Sequence, residues 1–305
     1  MQNSSGSPKL WMCSVFHAIL GTGGGKVAFA QDTQFRHVAI KLVPEGTDEL
    51  RILQLLSRQS PQTLRENCLI PVLGFLPIKG FWFVIIPRWG TSISLPRLET
   101  LQNVVQIMHS MLKGLTFLHS LNIVHRDLCL RNVLVNHFSS DHSKHYNPWR
   151  AELRQAGSLL HAIFDFDLSV IAPPDVKKSE FRLPYDMSWY GSYNQPFDTA
   201  QGEFDYDPFA FDVGTMGREF CDWFQHLSAD LPLLAPLLDG MTTRNIPRRL
   251  TASQALHFLE ARLQELSDAD LQRPFYETTE HPDYDRYDRW HLVRPYRLRK
   301  QMGNL

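Results

Sequence analysis

The sequence predicts an α+β protein with two lobes, a small β-rich lobe with one helix followed by a larger, mainly helical lobe. Short β-type runs separated by glycine-rich or polar turns fill the first part of the chain, and one helical pattern interrupts them. Helical periodicity dominates after about residue 100. Strands followed by runs of helices are typical of the α+β class, and 305 residues are enough for two cores.

The strands predicted for the first lobe lie at residues 14–20, 26–31 and 37–43, with a further pair within 69–86. Between them, the leucines of 46–59 recur at helical spacing and predict a helix. The segment 87–95 contains proline and glycine and predicts a connector between the lobes.

The second lobe begins with a long helix that starts near Thr100, because apolar residues recur on one face of the pattern. These residues are Val105, Met108, Met111, Leu112 and Leu115. Further helices are predicted at about 212–226, 230–240 and 251–266.

These elements divide the chain into three parts. We expect a flexible N-terminus at 1–14, a folded domain at 15–266, and a tail at 267–305 that packs on or extends from the second lobe. Within the domain, the predicted first lobe spans about 15–86, the hinge about 87–91 and the second lobe about 92–266.

Composition narrows the functional classes. The formal net charge of −1 does not favour a nucleic-acid partner or an anionic membrane. The four cysteines are far apart and unpatterned, which is typical of reduced thiols and not of a disulfide framework. The longest apolar stretch, 69–87, is interrupted by Lys79, two glycines and three prolines, so it does not suit a membrane span. The N-terminal residues lack the apolar region of a signal peptide, and we expect a soluble protein of the cytoplasm or nucleus.

The string "VHRDLCLRNVLVN" (124–136) carries the strongest chemical signal. Asp127 stands five residues before Asn132, and an apolar β-type run follows. This arrangement suits phosphoryl transfer, because the carboxylate can accept the proton of a hydroxyl while the amide oxygen binds Mg²⁺.

This string resembles the catalytic loop of eukaryotic protein kinases. The resemblance extends over about residues 15–266, and the form of the motifs is similar to that of divergent, fungal-type members of the family. It implies a two-lobed protein-kinase-like fold that uses ATP and Mg²⁺ to phosphorylate a protein substrate. It also implies that Asp127 is the catalytic base and that Arg131 stabilises the transferring phosphate.

The resemblance assigns further residues to the nucleotide. In "VAIK" (38–41), Lys41 would bind the α- and β-phosphates, and Glu49 would form an ion pair with it. The glycine-rich segment 20–27 matches less well, because Gly23 and Gly25 are closer together than the family pattern has them, and we expect weaker ATP affinity. The implied nucleotide-binding residues are Gly21, Gly23, Gly25, Val27, Ala39, Lys41 and Leu134.

The string "FDFD" (164–167) resembles the metal-binding triplet of the family, with Asp167 in place of glycine. Asp165 would bind Mg²⁺ together with Asn132. Phe166 would pack in an internal spine with Leu53 and His125, which Asp212 supports from a later helix. If position 167 required a positive φ, an aspartate there would cost on the order of 1 kcal/mol.

Two arginines have regulatory or structural roles in this resemblance. Arg249 would pair with the acid that ends the activation segment, for which the sequence offers Glu203. Arg126 precedes the base, so it could capture a phosphate on the activation segment. The candidate phosphorylation sites are Ser188, Tyr190, Ser192 and Tyr193.

The interval between Asp127 and Asp165 is about twice that of the family, because residues 137–158 are inserted in a predicted β-hairpin. Inserted surface loops carry function more often than the elements they connect. We therefore expect that the insert 137–158 docks a partner.

Three functions stay open at this stage. An active protein kinase is favoured over a pseudokinase that binds nucleotide or partners without turnover, because all five implied catalytic and metal-binding groups are present: Lys41, Glu49, Asp127, Asn132 and Asp165. For the active kinase, we expect a preference for serine or threonine. Small-molecule kinases of the choline and aminoglycoside type have a similar fold and often carry an acidic residue at the position of Asp167. The form of the other motifs is closer to protein kinases.

Overall fold

The computed structural model describes residues 26–31, 34–91, 97–138, 147–191, 193–199, 205–275 and 289–290. The first lobe contains an antiparallel four-stranded sheet in the order β1-β2-β4-β3. Its elements are β1 (Val27–Gln31), β2 (His37–Pro44), α1 (Asp48–Ser57), α2 (Pro61–Glu66), β3 (Gly74–Ile78) and β4 (Phe81–Pro87). The predicted strand at 14–20 lies outside the described residues.

Strand register places the predicted nucleotide-binding residues of this lobe on one face of the sheet. Val27 pairs with Lys41, and Phe29 pairs with Ala39. Because side chains alternate along a strand, residues two positions apart share a face, and directly paired residues share it too. Val27, Ala39 and Lys41 therefore lie on the same side.

Helix α1 begins at a well-formed cap, since the Thr47 side chain accepts a hydrogen bond from the Leu50 N–H at 3.3 Å. Its buried face places Glu49 beside β2, with Ile52 and Leu53 in the core. The sequence predicted one helix in this lobe, and the structure adds the short α2. Ser60 caps α2, and Pro61 occupies its first turn.

The second lobe is mainly helical. Its elements are α3 (Leu101–Ser120), β5 (Ile123–Val124), β6 (Val133–Val135), α4 (Pro148–Gln155), β7 (His161–Ile163), β8 (Val170–Ile171), β9 (Leu183–Pro184), β10 (Asp205–Tyr206), α5 (Pro208–Phe224), α6 (Leu234–Thr242), α7 (Ala252–Leu263) and α8 (Asp268–Leu271). Helix α5 starts four residues earlier than predicted, because the Asp207 carboxylate accepts hydrogen bonds from two N–H groups of the first turn.

One continuous apolar core joins the lobes. The buried face of α3 packs with side chains of α1, α5 and α7 in this core. Within the described part of the chain, no helix is long and apolar enough to cross a membrane. The tail contacts the second lobe through Trp290, whose indole N–H donates to Asp239 at 2.5 Å, and through Arg289, which also binds Asp239.

The insert 137–158 lies between β6 and β7, which pair antiparallel as the predicted hairpin. Its described part includes α4 and reaches the hinge. The Arg150 guanidinium donates to the carbonyls of Thr91 and His137, each at 3.0 Å. Only glycine fits at position 90 of the hinge beside the insert, because a Cβ there would lie 2.2 Å from the His137 oxygen.

A stack of aromatic rings and Arg88 joins the first lobe and the hinge to the insert. The Arg88 guanidinium lies between two rings, 4.1 Å from the Phe29 centroid and 4.4 Å from that of Phe138. Phe138 also contacts the His37 ring at 4.6 Å. Such cation–π contacts stabilise by about 0.5–2 kcal/mol each.

His161 is a buried polar group beneath α4. Its side chain is 3% exposed, and neither ring nitrogen has a hydrogen-bond partner among the described residues. Burial, together with Arg154 and Arg150, lowers its pKa from 6.5 to about 4. The imidazole is therefore neutral in the folded protein at neutral pH.

We predict that His161 makes the folded state acid-sensitive. Between its ordinary pKa of 6.5 and its folded value of about 4, the unfolded chain binds a proton that the folded protein does not, so stability falls as the pH falls through this window. The shift corresponds to a loss of about 3 kcal/mol. Urea unfolding of wild type and His161→Leu from pH 7 to pH 4 measures the difference.

The His161→Leu protein should also be more stable at pH 7 by about 1–3 kcal/mol, because two unsatisfied buried nitrogens are removed. If the two proteins lose stability in parallel on acidification, His161 is not the acid-sensitive group.

Candidate active site

The predicted catalytic loop is held from below by Asp212, which is fully buried on α5. Its two oxygens accept hydrogen bonds from the backbone N–H of His125 at 2.8 Å and of Arg126 at 2.7 Å. The ring of His119 is a third partner at 3.0 Å. Arg126 has φ of 67°, a left-handed conformation that these contacts stabilise.

Asp127 and Asn132 contact each other directly. The Asn132 amide nitrogen donates to the Asp127 carboxylate Oδ2 at 2.7 Å and to its backbone carbonyl at 2.8 Å. The amide oxygen of Asn132 is therefore the atom available for a cation. A 3₁₀ turn at Leu130–Asn132 produces this geometry.

Lys41 lies between two carboxylates. Its ammonium is 2.5 Å from Glu49 Oε1 and 2.6 Å from Asp165 Oδ1. Burial opposes the charge on Lys41, but Asp165 and Glu49 outweigh this effect and raise its pKa. The side chains of Lys41 and Glu49 are 17% and 7% exposed, so the pair is shielded from water. The structure thus brings three predicted site residues from β2, α1 and the segment after β7 into contact.

The strained residue of the predicted metal-binding triplet is Asp165, not Asp167. Asp165 has φ of 69°, whereas Asp167 is not among the residues with positive φ. The condition under which an aspartate at 167 would cost backbone strain is therefore not met, because the backbone there does not adopt a positive φ. Burial raises the pKa of Glu49, and the negative charges of Asp165 and Asp167 add smaller contributions to this shift.

Phe166 lies in the core between the lobes. It is 1% exposed, and its ring centroid is 5.5 Å from that of His125. Leu53 belongs to the same buried cluster. The ring nitrogen of His125 contacts the Phe164 carbonyl at 3.0 Å, which fixes the imidazole beside the triplet.

The described nucleotide-binding candidates lie in both lobes. Val27 and Ala39 share the sheet face with Lys41 in the first lobe. Leu134 on β6 belongs to the second lobe and lies in a small apolar cluster with Ile86 and Trp89. Gly21, Gly23 and Gly25 lie outside the described residues.

Arg126 binds backbone carbonyls at both ends of the segment that follows the triplet. Its NH1 group donates to Leu168 O at 2.7 Å, and its NH2 group donates to Met187 O. The residue is 5% exposed, and the candidate phosphorylation site Ser188 is 1% exposed. This arrangement differs from the expectation that Arg126 captures a phosphate, because the guanidinium is buried and donates to these two carbonyls. Ser192 lies outside the described residues.

Arg249 forms a buried two-point ion pair with Asp198. The NH1–Oδ2 and NH2–Oδ1 distances are 2.6 and 2.7 Å, and each side chain is 1% exposed. Glu203, the acid expected there, lies outside the described residues, and the acid that Arg249 contacts is Asp198. Nothing in the sequence around Asp198 distinguishes it from the other acids of this segment.

Glu219 is a second residue that the sequence did not indicate. It is 6% exposed on α5, accepts the Leu130 N–H at 2.8 Å, and accepts the Asn194 amide at 2.5 Å. It therefore fixes the catalytic loop to the later segment. Burial raises its pKa, although these hydrogen bonds oppose the shift. Its neighbour Arg131 is exposed and lies 5.5 Å from the Tyr193 ring.

Asp165 and Asn132 offer oxygens of the chemical type that a magnesium ion binds. Asp165 uses Oδ1 for Lys41, and among the described residues its Oδ2 has no partner. Its side chain is 31% exposed, so that oxygen is accessible. Carboxylate and amide oxygens are the hard ligands that Mg²⁺ prefers, and it retains several waters. In the described ranges, no three His, Cys, Asp or Glu side chains form a cluster that could hold a metal ion.

Comparison with known proteins gives one family. The family model described as protein tyrosine and serine/threonine kinase matches residues 14–170. This range includes the predicted catalytic loop and the metal-binding triplet. No curated protein sequence matches the chain.

We predict that the partner of Arg249 can be identified by stability. Asp198→Ala should lower the free energy of unfolding by about 3–5 kcal/mol, because a buried guanidinium loses its counter-ion. Urea unfolding of this variant is compared with Glu203→Ala and with Asp175→Ala, which removes an exposed carboxylate. A large loss in Glu203→Ala and none in Asp198→Ala would contradict the assignment.

We also predict that Asp167→Gly does not stabilise the protein. Because Asp167 does not adopt a positive φ, glycine relieves no strain and increases the entropy of the unfolded chain, at a cost of about 0.5–1 kcal/mol. Asp167→Asn, which removes only the charge, is the matched control in the same unfolding assay. An increase in stability specific to the glycine variant would show that position 167 is strained.

Proposed function

The chain belongs to the protein tyrosine and serine/threonine kinase family, and on this premise we propose that it transfers the γ-phosphoryl group of ATP to a serine or threonine hydroxyl of a protein substrate. The observation that carries the proposal is the contact of Lys41 with both Glu49 and Asp165. These three groups must meet for this chemistry, and they come from separate elements of the fold.

Asp127 is the group that would accept the proton. Its Oδ2 is occupied by the Asn132 amide, so Oδ1 is the atom that an incoming hydroxyl meets. As the hydroxyl oxygen forms its bond to the γ-phosphorus, the bond from that phosphorus to the bridging oxygen breaks, and the proton passes to Asp127. A positioned base contributes about 10²–10⁴-fold to such a reaction.

Lys41 would bind the α- and β-phosphates, and Glu49 keeps its ammonium charged and oriented. Asp165 and Asn132 would hold a magnesium ion, which would neutralise part of the phosphate charge. Val27, Ala39 and Leu134 would contact the adenine. Excess negative charge supports this assignment, because the carboxylates of Asp165 and Glu49 both contact a single lysine.

The choice of serine or threonine over tyrosine is part of the proposal. Cys129 occupies the position two after the base, where serine/threonine kinases usually have lysine, and Arg131 occupies a position typical of tyrosine kinases. The overall form of the remaining motifs supports a serine/threonine acceptor.

We predict that Asp127→Asn lowers phosphoryl transfer by at least about 10²-fold, because the amide cannot accept the proton. The measurement is incorporation of labelled phosphate into the protein itself or a generic substrate, with Mg²⁺ and ATP. Asp175→Asn is the matched control at an exposed aspartate.

Binding of Mg²⁺–ATP, followed by thermal shift, should persist in Asp127→Asn. If wild type and Asp127→Asn are equally silent while both bind nucleotide, the chain is a pseudokinase. Phosphorylation of aminoalcohols but not of peptides would assign it to small-molecule kinases.

A further inference from the structure

A buried carboxylate on α5 connects two segments of the candidate site. Glu219 is 6% exposed, its Oε1 accepts the backbone N–H of Leu130 at 2.8 Å, and its Oε2 accepts the side-chain amide of Asn194 at 2.5 Å. Leu130 belongs to the catalytic loop, whereas Asn194 belongs to the segment that follows β9. The two oxygens of one side chain therefore hold together parts of the site that lie far apart along the chain.

The contact with Leu130 fixes the turn that presents a proposed magnesium ligand. Leu130 is the first residue of the 3₁₀ turn that ends at Asn132. The first N–H groups of a helical turn have no partner within it, so a group elsewhere has to supply the acceptor. At the other end of the turn, the Asn132 amide nitrogen donates to two oxygens of Asp127, which leaves the amide oxygen for the metal ion. The position of that oxygen thus depends on how the turn is held.

The contact with Asn194 holds the segment that packs on the proposed base. Gly191 of this segment has φ of 114°, and a Cβ there would lie 2.6 Å from Arg126 O and 3.5 Å from Asp127 Oδ1. Only glycine allows so close an approach in this conformation. Asn194 follows three residues later, so its hydrogen bond to Glu219 limits how far the segment can move from the base.

The donor and acceptor pattern around position 219 suits a carboxylate. An ionised glutamate has acceptor atoms only, so it can accept from the Leu130 N–H and from the Asn194 amide at the same time. Hydrogen bonds from a neutral donor to an ionised acceptor are shorter and stronger than those between neutral groups. Glu219 is thus matched to two donors that come from different segments.

We propose that Glu219 is a positioning residue for phosphoryl transfer, which holds Asn132 in the orientation that offers its amide oxygen to magnesium and keeps the Gly191 segment packed on the base. The inference rests on the proposed function, because the metal ion and the base belong to that reaction. Glu219 would act only through the Leu130 N–H and the Asn194 amide. Groups that orient a metal ligand typically contribute about 10–100-fold to metal affinity or activity.

An exchange of donor and acceptor between the two side chains tests the proposal. Asn194→Asp removes the donor and places two carboxylates in contact. Adding Glu219→Gln restores the pair with its roles reversed, because the glutamine oxygen can accept from Leu130 and its nitrogen can donate to the carboxylate at 194. Asn245→Asp adds the same charge at an exposed asparagine of the second lobe and is the matched control.

The first measurement is the Mg²⁺ midpoint, the Mg²⁺ concentration that gives half of the thermal shift produced by a non-hydrolysable ATP analogue. We expect Asn194→Asp to raise this midpoint about tenfold, and the double variant to return to within about threefold of wild type. A loss of stability alone would lower the melting temperature without moving the midpoint. An unchanged midpoint in Asn194→Asp, no recovery in the double variant, or an equal effect of Asn245→Asp overturns the proposal.

The second measurement is hydrogen exchange of the Leu130 N–H, which reports the contact itself. Glu219→Ala removes both acceptor atoms, so exchange at Leu130 should be faster, and the Mg²⁺ midpoint should rise by about tenfold or more. Faster exchange with an unchanged midpoint would make the contact merely structural and overturn the proposal. If Glu219→Ala does not fold, the exchange between positions 194 and 219 decides the question.

Turnover with Mg²⁺ and ATP separates this proposal from the proposed function. We expect kcat to fall about tenfold in Asn194→Asp and to recover in the double variant. Turnover in all variants with one common Mg²⁺ midpoint refutes the role of Glu219 and leaves the proposed function standing. A shifted midpoint in a protein without turnover supports the positioning of the magnesium ligand and refutes the function. A wild type with no Mg²⁺-dependent thermal shift overturns both.

Discussion

The carboxylate of Asp212 is the contact on which the geometry of the candidate site depends. This fully buried carboxylate accepts hydrogen bonds from the consecutive N–H groups of His125 and Arg126. It so stabilises the left-handed conformation of Arg126, the residue before the proposed base. A buried carboxylate with several charge-assisted hydrogen bonds is fixed in position. Asp127 therefore faces the cleft, and the Arg126 side chain turns inward to the carbonyls of the following segment.

Sequence patterns located the residues that lie close together along the chain, such as Asp127 and Asn132, because a short string fixes their relative placement. Contacts between distant segments could not be read in this way. Asp198 pairs with Arg249 across 51 positions, and nothing in its own neighbourhood distinguishes it from other acids. The location of strain at Asp165 was likewise inaccessible, because backbone conformation depends on the packing of both lobes.

Charge balance links the two halves of the site. On the nucleotide side, carboxylates outnumber the single Lys41, so cations and the phosphates that they neutralise complete the arrangement. On the other side of Asp127, arginines accompany exposed rings. The catalytic loop thus lies between a group of side chains rich in carboxylates and a group of exposed rings with arginines beside them.

The stack of Phe29, Arg88 and Phe138 gives the insert a mechanical consequence. The lobes are connected by the hinge backbone and also by this side-chain bridge, and Arg150 holds the insert to the hinge carbonyl of Thr91. A rotation of the first lobe about the hinge must separate these rings or carry the insert along. The stiffness of the hinge therefore depends on Phe138, which lies in a loop that follows the hinge in the chain.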